Sequence, residues 1–278
     1  LEFQNRSEFL AEYRRRTAEA RRIYDRAVEH LASLLGDITA AGVVFPVDLR
    51  LRPGSRGSGF ASSLAALEGY YREWADLWER QSLTRARAVW GDPRLARQVR
   101  RTIWRIIYRG PLSLAELKEI REIRQRLELE LGKETPGRFH VKFGRGGLVD
   151  VEFIVQALQL AQGHRITQLR QANTQAALGA VRRQGLMAEA DAALLADHYR
   201  FLRRVSASLR LFGARPADAL EVAGPMPARL AKSLEFQSRS EFLAEYRRRT
   251  AEARRIYDRV FSADSPLVSG ALPSWSSA

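Results

Sequence analysis

Apolar residues recur with helical spacing along most of the chain. Near the start, Phe9, Tyr13, Ala20 and Ile23 fall close to one face with arginines between them, which predicts an amphipathic helix from about Ser7 to Leu35. The same spacing predicts further helices at 62–81, 93–108, 113–131, 149–162, 171–184, 188–212 and 238–260. The first of these carries a wide aromatic and aliphatic stripe, which is typical of core packing. The pattern therefore predicts a mainly α fold.

One segment alternates in the manner of a strand. Apolar and charged residues alternate from Val47, and Pro46 favours an edge or a strand start, so we expect a strand at 43–52. A glycine-rich loop comes after it. Side chains with period two share a face, and this rule groups Asp48, Arg50 and Arg52. That face fits either a metal–nucleotide site or a solvated edge with internal ion pairs, and the pattern leaves both open.

A second unusual segment lies between Lys142 and Phe153. Its glycines close a loop predicted at 132–147 and lead into an apolar helix, where backbone N–H groups could bind an anion. The alternative is a tight turn whose acids suit the helix dipole. Asp150 and Glu152 have the spacing of a metal-binding pair. On a helix they point about 200° apart, so the helical pattern argues against a shared ion.

A long repeat connects the two ends of the chain. Residues 1–26 recur at 234–259 with one change, Asn5 against Ser238. Both copies are predicted helices, with Ser7 and Ser240 as expected N-caps. Two origins are open: a recent duplication, or a chain in which a C-terminal helix was joined ahead of a fragment.

Composition narrows the classes of function. The chain has 278 residues and no cysteine, which excludes a disulfide scaffold, a thiolate metal site and a cysteine nucleophile. The net charge is +14, but only four basic residues are lysines and the arginines are spread along the chain. We therefore disfavour nucleic acid as a ligand. The four histidines stand apart in sequence. No apolar run reaches the ~18 residues of a membrane span, so we expect a cytoplasmic protein without a membrane partner.

Five motifs carry a family resemblance. They are VDLRLRPGSRGSG, WERQSLTRARAVWGDP, KFGRGGLVDVEFIVQALQL, LRQANTQAAL and HYRFLRRV, in that order. Together they resemble glutamine-synthetase adenylyltransferase over about residues 28–261. This large bifunctional enzyme attaches AMP to glutamine synthetase and removes it again. The forms GGLVDVE and LTRAR are similar to its C-terminal, adenylylating half.

The resemblance implies a fold and its boundaries. We expect the remnant of a polymerase-β-like nucleotidyltransferase α/β domain followed by an all-α helical-bundle domain. The expected segments are the duplicated helix at 1–26, the end of the nucleotidyltransferase domain at 27–92, the helical domain at 93–261 and a disordered tail at 262–278.

The resemblance also implies a site that uses ATP and Mg²⁺. In that superfamily three carboxylates hold two Mg²⁺ ions. Asp48 matches the later of these acids and is the expected catalytic and metal-binding residue. Arg50 and Arg52 are expected to flank the nucleotide. Arg85 and Arg87 match the family less specifically and are expected to contact phosphates.

The chain departs from the family in one respect. The family's Gly-Ser…Asp-x-Asp segment, which supplies the other two acids, is missing from the sequence, and the N-terminal copy stands in its place. This favours the joined-fragment origin. We therefore expect no turnover by this chain alone.

The resemblance implies transfer of AMP from ATP to a tyrosine of glutamine synthetase. The alternative is a non-catalytic helical module that binds glutamine synthetase or the nitrogen-regulatory signal protein. A basic nucleic-acid binder is a third possibility that rests on charge alone.

Overall fold

The computed structural model describes residues 6–38, 47–49, 59–213, 218–262, 265 and 267. The chain forms two compact units that divide after Glu79, and each is described by itself. The described residues form ten α-helices and one two-stranded sheet, which confirms the mainly α fold. The predicted boundary at 92/93, between the end of the nucleotidyltransferase domain and the helical domain, stays a prediction.

The first unit contains α1 (Arg6–Gly36) and α2 (Leu64–Glu73), and α3 (Leu77–Ser82) crosses the division. The long first helix is confirmed. The helix expected at 62–81 is instead broken between α2 and α3. The Glu79 carboxylate stabilises the break, because it accepts hydrogen bonds from the Asp76 amide at 3.1 Å and the Tyr70 hydroxyl at 2.9 Å.

Two expectations for the first unit need correction. Residues 47–49 lie in no strand, while the rest of the strand predicted at 43–52 and the glycine-rich loop up to 58 lie outside the described residues. The aromatic stripe is only partly core. Tyr71 and Leu77 are buried, but Trp74 is 76% exposed at the turn that ends α2.

The second unit is a helical bundle. Its helices are α4 (Pro93–Ile107), α5 (Leu114–Leu127), α6 (Leu148–Gln162), α7 (Thr174–Arg183), α8 (Glu189–Phe212), α9 (Met226–Ser233) and α10 (Arg239–Val260). All except α9 were predicted. The eight residues of α9 include a proline and are too few to show a helical period.

Side-chain caps define several of these helix starts. Asp92 caps α4, and Ser113 and Glu116 form a reciprocal capping box on α5. Ser238 caps α10 by accepting a hydrogen bond from the Glu241 amide at 3.1 Å. Ser240, the expected cap, lies inside α10.

Helix α6 is the centre of the bundle. Every one of its residues except Glu152 is buried, and it contacts α5, α7, α8 and α10. A helix that is buried all round needs neighbours on every side, and its polar side chains need partners within the bundle. The apolar run after Asp150 therefore decides where the core lies.

A small sheet replaces part of the loop expected at 132–147. Strand β1 (Arg138–His140) pairs antiparallel with β2 (Ala219–Glu221), and Phe139 lies opposite Leu220. Leu220 is fully buried, so the pair closes one end of the bundle core. Three-residue strands give too short an alternation to be read from sequence.

The tail was expected to be disordered from 262 on. Ser265 and Leu267 are buried, and the Ser265 hydroxyl donates to the Val260 carbonyl at 2.5 Å. These two positions pack against the rest of the chain, and disorder of the tail stays a prediction. The rest of the tail beyond Ser262 lies outside the described residues.

Removing side-chain volume from α6 tests this account of the core. We expect Leu158→Ala to lower the free energy of unfolding by about 2–5 kcal/mol, because Leu158 is fully buried. Leu211→Ala, at an exposed position of α8, should change it by less than about 0.5 kcal/mol. Urea denaturation followed by circular dichroism measures both. Equal losses would show that α6 is not central.

Candidate functional site

The glycine loop before α6 is a tight turn closed by an internal acid. Gly146 has a positive φ of 67°, and its amide donates to Asp150 Oδ2 at 2.7 Å. The Gly147 amide donates to the Gly144 carbonyl at 3.0 Å. These N–H groups are thus occupied within the chain. Of the two interpretations of this segment, the structure favours the tight turn over an anion site.

Asp150 belongs to an ion cluster, which comprises the buried Arg124 and Asp150 and the half-buried Glu128 and Arg254. Arg124 Nε donates to Asp150 Oδ1 at 2.5 Å, and its Nη2 donates to the Gly144 carbonyl at 2.8 Å. Arg254 Nη1 lies 2.6 Å from Glu128 and 3.4 Å from Asp150. Burial raises the pKa of the Asp150 carboxyl, and the two guanidiniums oppose that rise.

Four of the five sequence motifs meet at one polar cluster, which we call the motif junction: Arg85, Glu152, Thr174 and Tyr199. The Arg85 guanidinium donates to the Thr174 hydroxyl and lies 3.7 Å from Glu152. The Tyr199 hydroxyl donates to Glu152 at 2.9 Å. Burial raises the pKa of Tyr199, and the negative charge of Glu152 raises it further. Asp150 and Glu152 therefore lie on a helix and contact different partners.

Buried glutamines hold the same motifs together from the side of α6. Gln81 Nε2 donates to Gln156 Oε1 at 2.7 Å. Gln159 Nε2 donates to the carbonyls of Leu169 and Gln171 at 2.7 and 2.8 Å. Because buried amides need partners, these bonds fix the segments before α4 and before α7 against α6.

Beside these segments lies an arginine-lined cleft of about 440 Å³. The guanidiniums of Arg100 and Arg170 lie over the Trp104 ring at 5.3 and 5.4 Å, and Arg170 also lies 5.0 Å from the Tyr108 ring. Arg87 lines the cleft as well. None of the described residues that line it carries a carboxylate. The arginine cleft is therefore suited to an anion.

The structure does not bring the predicted site residues together in one place. Asp48 is exposed, whereas Arg50 and Arg52 lie outside the described residues. Arg85 lies in the motif junction, and Arg87 lines the arginine cleft. The two arginines of the LTRAR motif thus lie in different surroundings. Their roles in binding phosphate, and the catalytic and metal-binding role of Asp48, stay predictions.

The acids present do not fit the two-Mg²⁺ site that the resemblance implies. Within the described ranges, no group of three or more histidine, aspartate or glutamate side chains could hold a metal ion. A site that places two ions needs several converging carboxylates.

Among the helices of the described ranges, none is both long and apolar enough to cross a membrane.

Sequence reasoning missed several residues that organise the site. Glu152 was considered only as half of a metal-binding pair, and its contacts with Arg85 and Tyr199 were not predicted. Thr174, Tyr199 and His198 lie within the quoted motifs, and their position in a motif was the available signal. Arg124 and Arg254 lie outside the motifs. Only the burial of Asp150, which requires a cation nearby, could have indicated them.

Fold and site together define a helical-bundle protein whose motif residues are used for packing and for a cationic cleft. Two known families match parts of the chain. Residues 4–102 match the family described as Glutamate-ammonia ligase adenylyltransferase. Residues 117–261 match the family described as GlnD PII-uridylyltransferase.

Curated relatives share one description, bifunctional glutamine synthetase adenylyltransferase/adenylyl-removing enzyme. The protein from Nocardia farcinica is 35% identical over 78% of this chain and 22% of its own length. Those from Methylococcus capsulatus and Streptomyces coelicolor are 33% and 34% identical over 86% of this chain, and 25% and 24% of their own lengths. The chain thus spans about a quarter of the relatives it matches. It belongs to the glutamine-synthetase adenylyltransferase family.

The buried His198 gives the site a pH dependence. Its Nε2–H donates to the Gly146 carbonyl at 2.6 Å, and burial lowers the pKa of His198 from 6.5 to about 4. The unfolded chain therefore binds the proton first as the pH falls. The contribution of neutral His198 to the free energy of unfolding is complete above about pH 6.5. As the pH falls from there to about 4, the free energy of unfolding decreases by about 3 kcal/mol.

We expect His198→Gln, which keeps an N–H donor for Gly146, to remove this loss. Free energies of unfolding measured by urea at pH 7 and pH 4.5 give the comparison. His30→Gln, at an exposed position of α1, is the matched control and should keep the full loss. An unchanged pH dependence in His198→Gln would contradict the assignment.

Proposed function

We propose that this chain is part of the adenylylating half of a glutamine-synthetase adenylyltransferase. In the intact enzyme, a tyrosine hydroxyl of glutamine synthetase attacks the α-phosphorus of ATP. The hydroxyl proton passes to solvent, and a bond forms between the tyrosine oxygen and the α-phosphorus. The bond from that phosphorus to the bridging β-phosphate oxygen breaks, and pyrophosphate leaves with the negative charge. The observation that carries the proposal is the motif junction, where family motifs from four segments meet in one cluster.

The helical unit contributes positive charge and positioning in this proposal. Arg87, Arg100 and Arg170 line one cleft, and no acid lines its described part. Such groups stabilise phosphate oxygens as charge develops on them, because arginine matches a phosphate with two parallel N–H donors. The motif junction holds the LTRAR segment in place through Arg85 and leaves Arg87 for the cleft.

The chain by itself lacks the means of catalysis. Asp48 is the one acid that matches the family's catalytic set, since the sequence contains no Asp-x-Asp. The packing of α4 to α10 does not depend on that acid. We therefore propose, as the second candidate, that this chain acts as a binding module in the cytoplasm. Its partner would be glutamine synthetase or the nitrogen-regulatory signal protein.

Transfer of labelled AMP from ATP to glutamine synthetase separates these functions. With the purified chain and Mg²⁺, we expect incorporation at the level of a protein-free control, and Asp48→Ala should change nothing. One acid cannot position two ions, which is the reason for this expectation. Incorporation that Asp48→Ala abolishes would show instead that the chain is an active enzyme. Retention of glutamine synthetase on the immobilised, inactive chain would favour the binding module.

The anion role of the arginine cleft has its own test. We expect Arg87→Ala to weaken binding of pyrophosphate and of ATP about tenfold, because a charge-assisted hydrogen bond contributes roughly 1.5 kcal/mol. Arg94→Ala is the matched control, since Arg94 is exposed on α4 and does not line the cleft. Titration calorimetry at low salt measures both. Equal affinities for the two variants would count against the cleft as the phosphate site.

A further inference from the structure

The repeated helix occurs twice with one sequence and two environments. Arg6–Arg26 of α1 repeats Arg239–Arg259 of α10 without a change. Ile256 in α10 is 3% exposed, whereas its counterpart Ile23 in α1 is 62% exposed. The face that forms core in one copy therefore faces solvent in the other.

A second matched pair on the apolar face differs in the same way. Tyr257 and Tyr24, another matched pair, are 2% and 64% exposed. The charged outer faces are alike, because each has one glutamate that pairs with the arginines three and four residues later. These sets are Glu12, Arg15 and Arg16 in α1 and Glu245, Arg248 and Arg249 in α10. The two copies thus differ in whether other helices cover the apolar face, as they do for α10 but, within the described residues, not for α1.

The groove that α10 fills is specific for its sequence. α6, α8 and α9 contact α10. A Cβ on Gly146 would lie 1.9 Å from the Thr250 carbonyl oxygen, so the helix backbone passes very close to the glycine loop. Tyr246 packs against Phe201 with ring centroids 6.4 Å apart. α1 carries the same threonine and tyrosine at the same spacing, as Thr17 and Tyr13.

The ion pairs of the groove add to this specificity. Arg254 of α10 pairs with Glu128 and Asp150, both of which belong to the bundle. Removing Arg254 would leave the Glu128 and Asp150 carboxylates with less compensating charge, so the groove favours an arginine at this position of any helix that enters it. Arg21 is that arginine in α1.

We propose that α1 is a docking helix for the helical unit of a second copy of this chain, where it enters the groove that α10 otherwise fills. α10 ends at Val260, whereas α1 continues as helix beyond Arg26 to Gly36, about 15 Å further. Docked in the register of α10, α1 would carry the rest of its own chain out of the groove and away from that bundle. Exchange of an identical element between copies is a low-cost route to a dimer.

Two side-chain positions determine which of the two helices binds more tightly in the groove. Val260 and Phe261 at the end of α10 are buried, and the matching positions in α1 carry the smaller Ala27 and Val28. Smaller side chains at buried positions leave cavities and bind less well. α10 therefore keeps its own groove, and α1 of a second copy enters when α10 is displaced.

Displacing α10 by one substitution tests the proposal in the full chain. Ala253 is fully buried, so Ala253→Arg cannot be accommodated in the groove, while its counterpart Ala20 is exposed. We expect Ala253→Arg to keep a cooperative thermal transition and to sediment as a dimer at micromolar concentration. Ala20→Arg should match the unmodified chain in both sedimentation and thermal transition.

The double variant Ala20→Arg/Ala253→Arg completes the test. With both helices blocked, we expect loss of the dimer and of the cooperative transition. A folded monomer for Ala253→Arg would show that no second copy is needed and would overturn the proposal. Loss of folding in Ala253→Arg alone, or a dimer that persists in the double variant, would overturn it equally.

Discussion

The helical unit depends on the placement of one buried guanidinium. Arg124 is 0% exposed, and its charge is compensated by Asp150 on α6 and Glu128 at the end of its own helix. A buried charge without a partner costs several kcal/mol, so α5 and α6 can pack only with these acids in place. Arg254 joins α10 to the same cluster. Three helices and the glycine loop are thereby held in a single register.

Helix α6 separates the tasks of its two acids. Asp150 faces the ion cluster, while Glu152, two residues later, faces the motif junction with Arg85 and Tyr199. The helical rotation of about 200° between them produces this division. Packing is secured on one side of α6, and the family motifs are gathered on the other. Both sides depend on the same short stretch of sequence.

Long elements could be predicted from the sequence, and short ones could not. The helical period over α6, α8 and α10 spans several turns, and the structure has these helices close to the predicted bounds. The strands β1 and β2 have three residues each, too few for a pattern. For the site, motif order indicated which segments matter. It did not reveal the pairing of Asp150 with Arg124, because partners 26 residues apart leave no periodic signal.

The end of α5 has a further consequence for the length of the chain. Glu128–Gly132 forms a π-helical turn, which contains one residue more than an α-turn would use. Because a π-turn takes up its extra residue within one turn of helix, the loss of one residue here would restore an α-turn and leave the direction of the following chain little changed. β1, where Phe139 stacks on Tyr246 of α10, would then keep its place. The number of residues between α5 and β1 can therefore vary by one at this turn without loss of that contact.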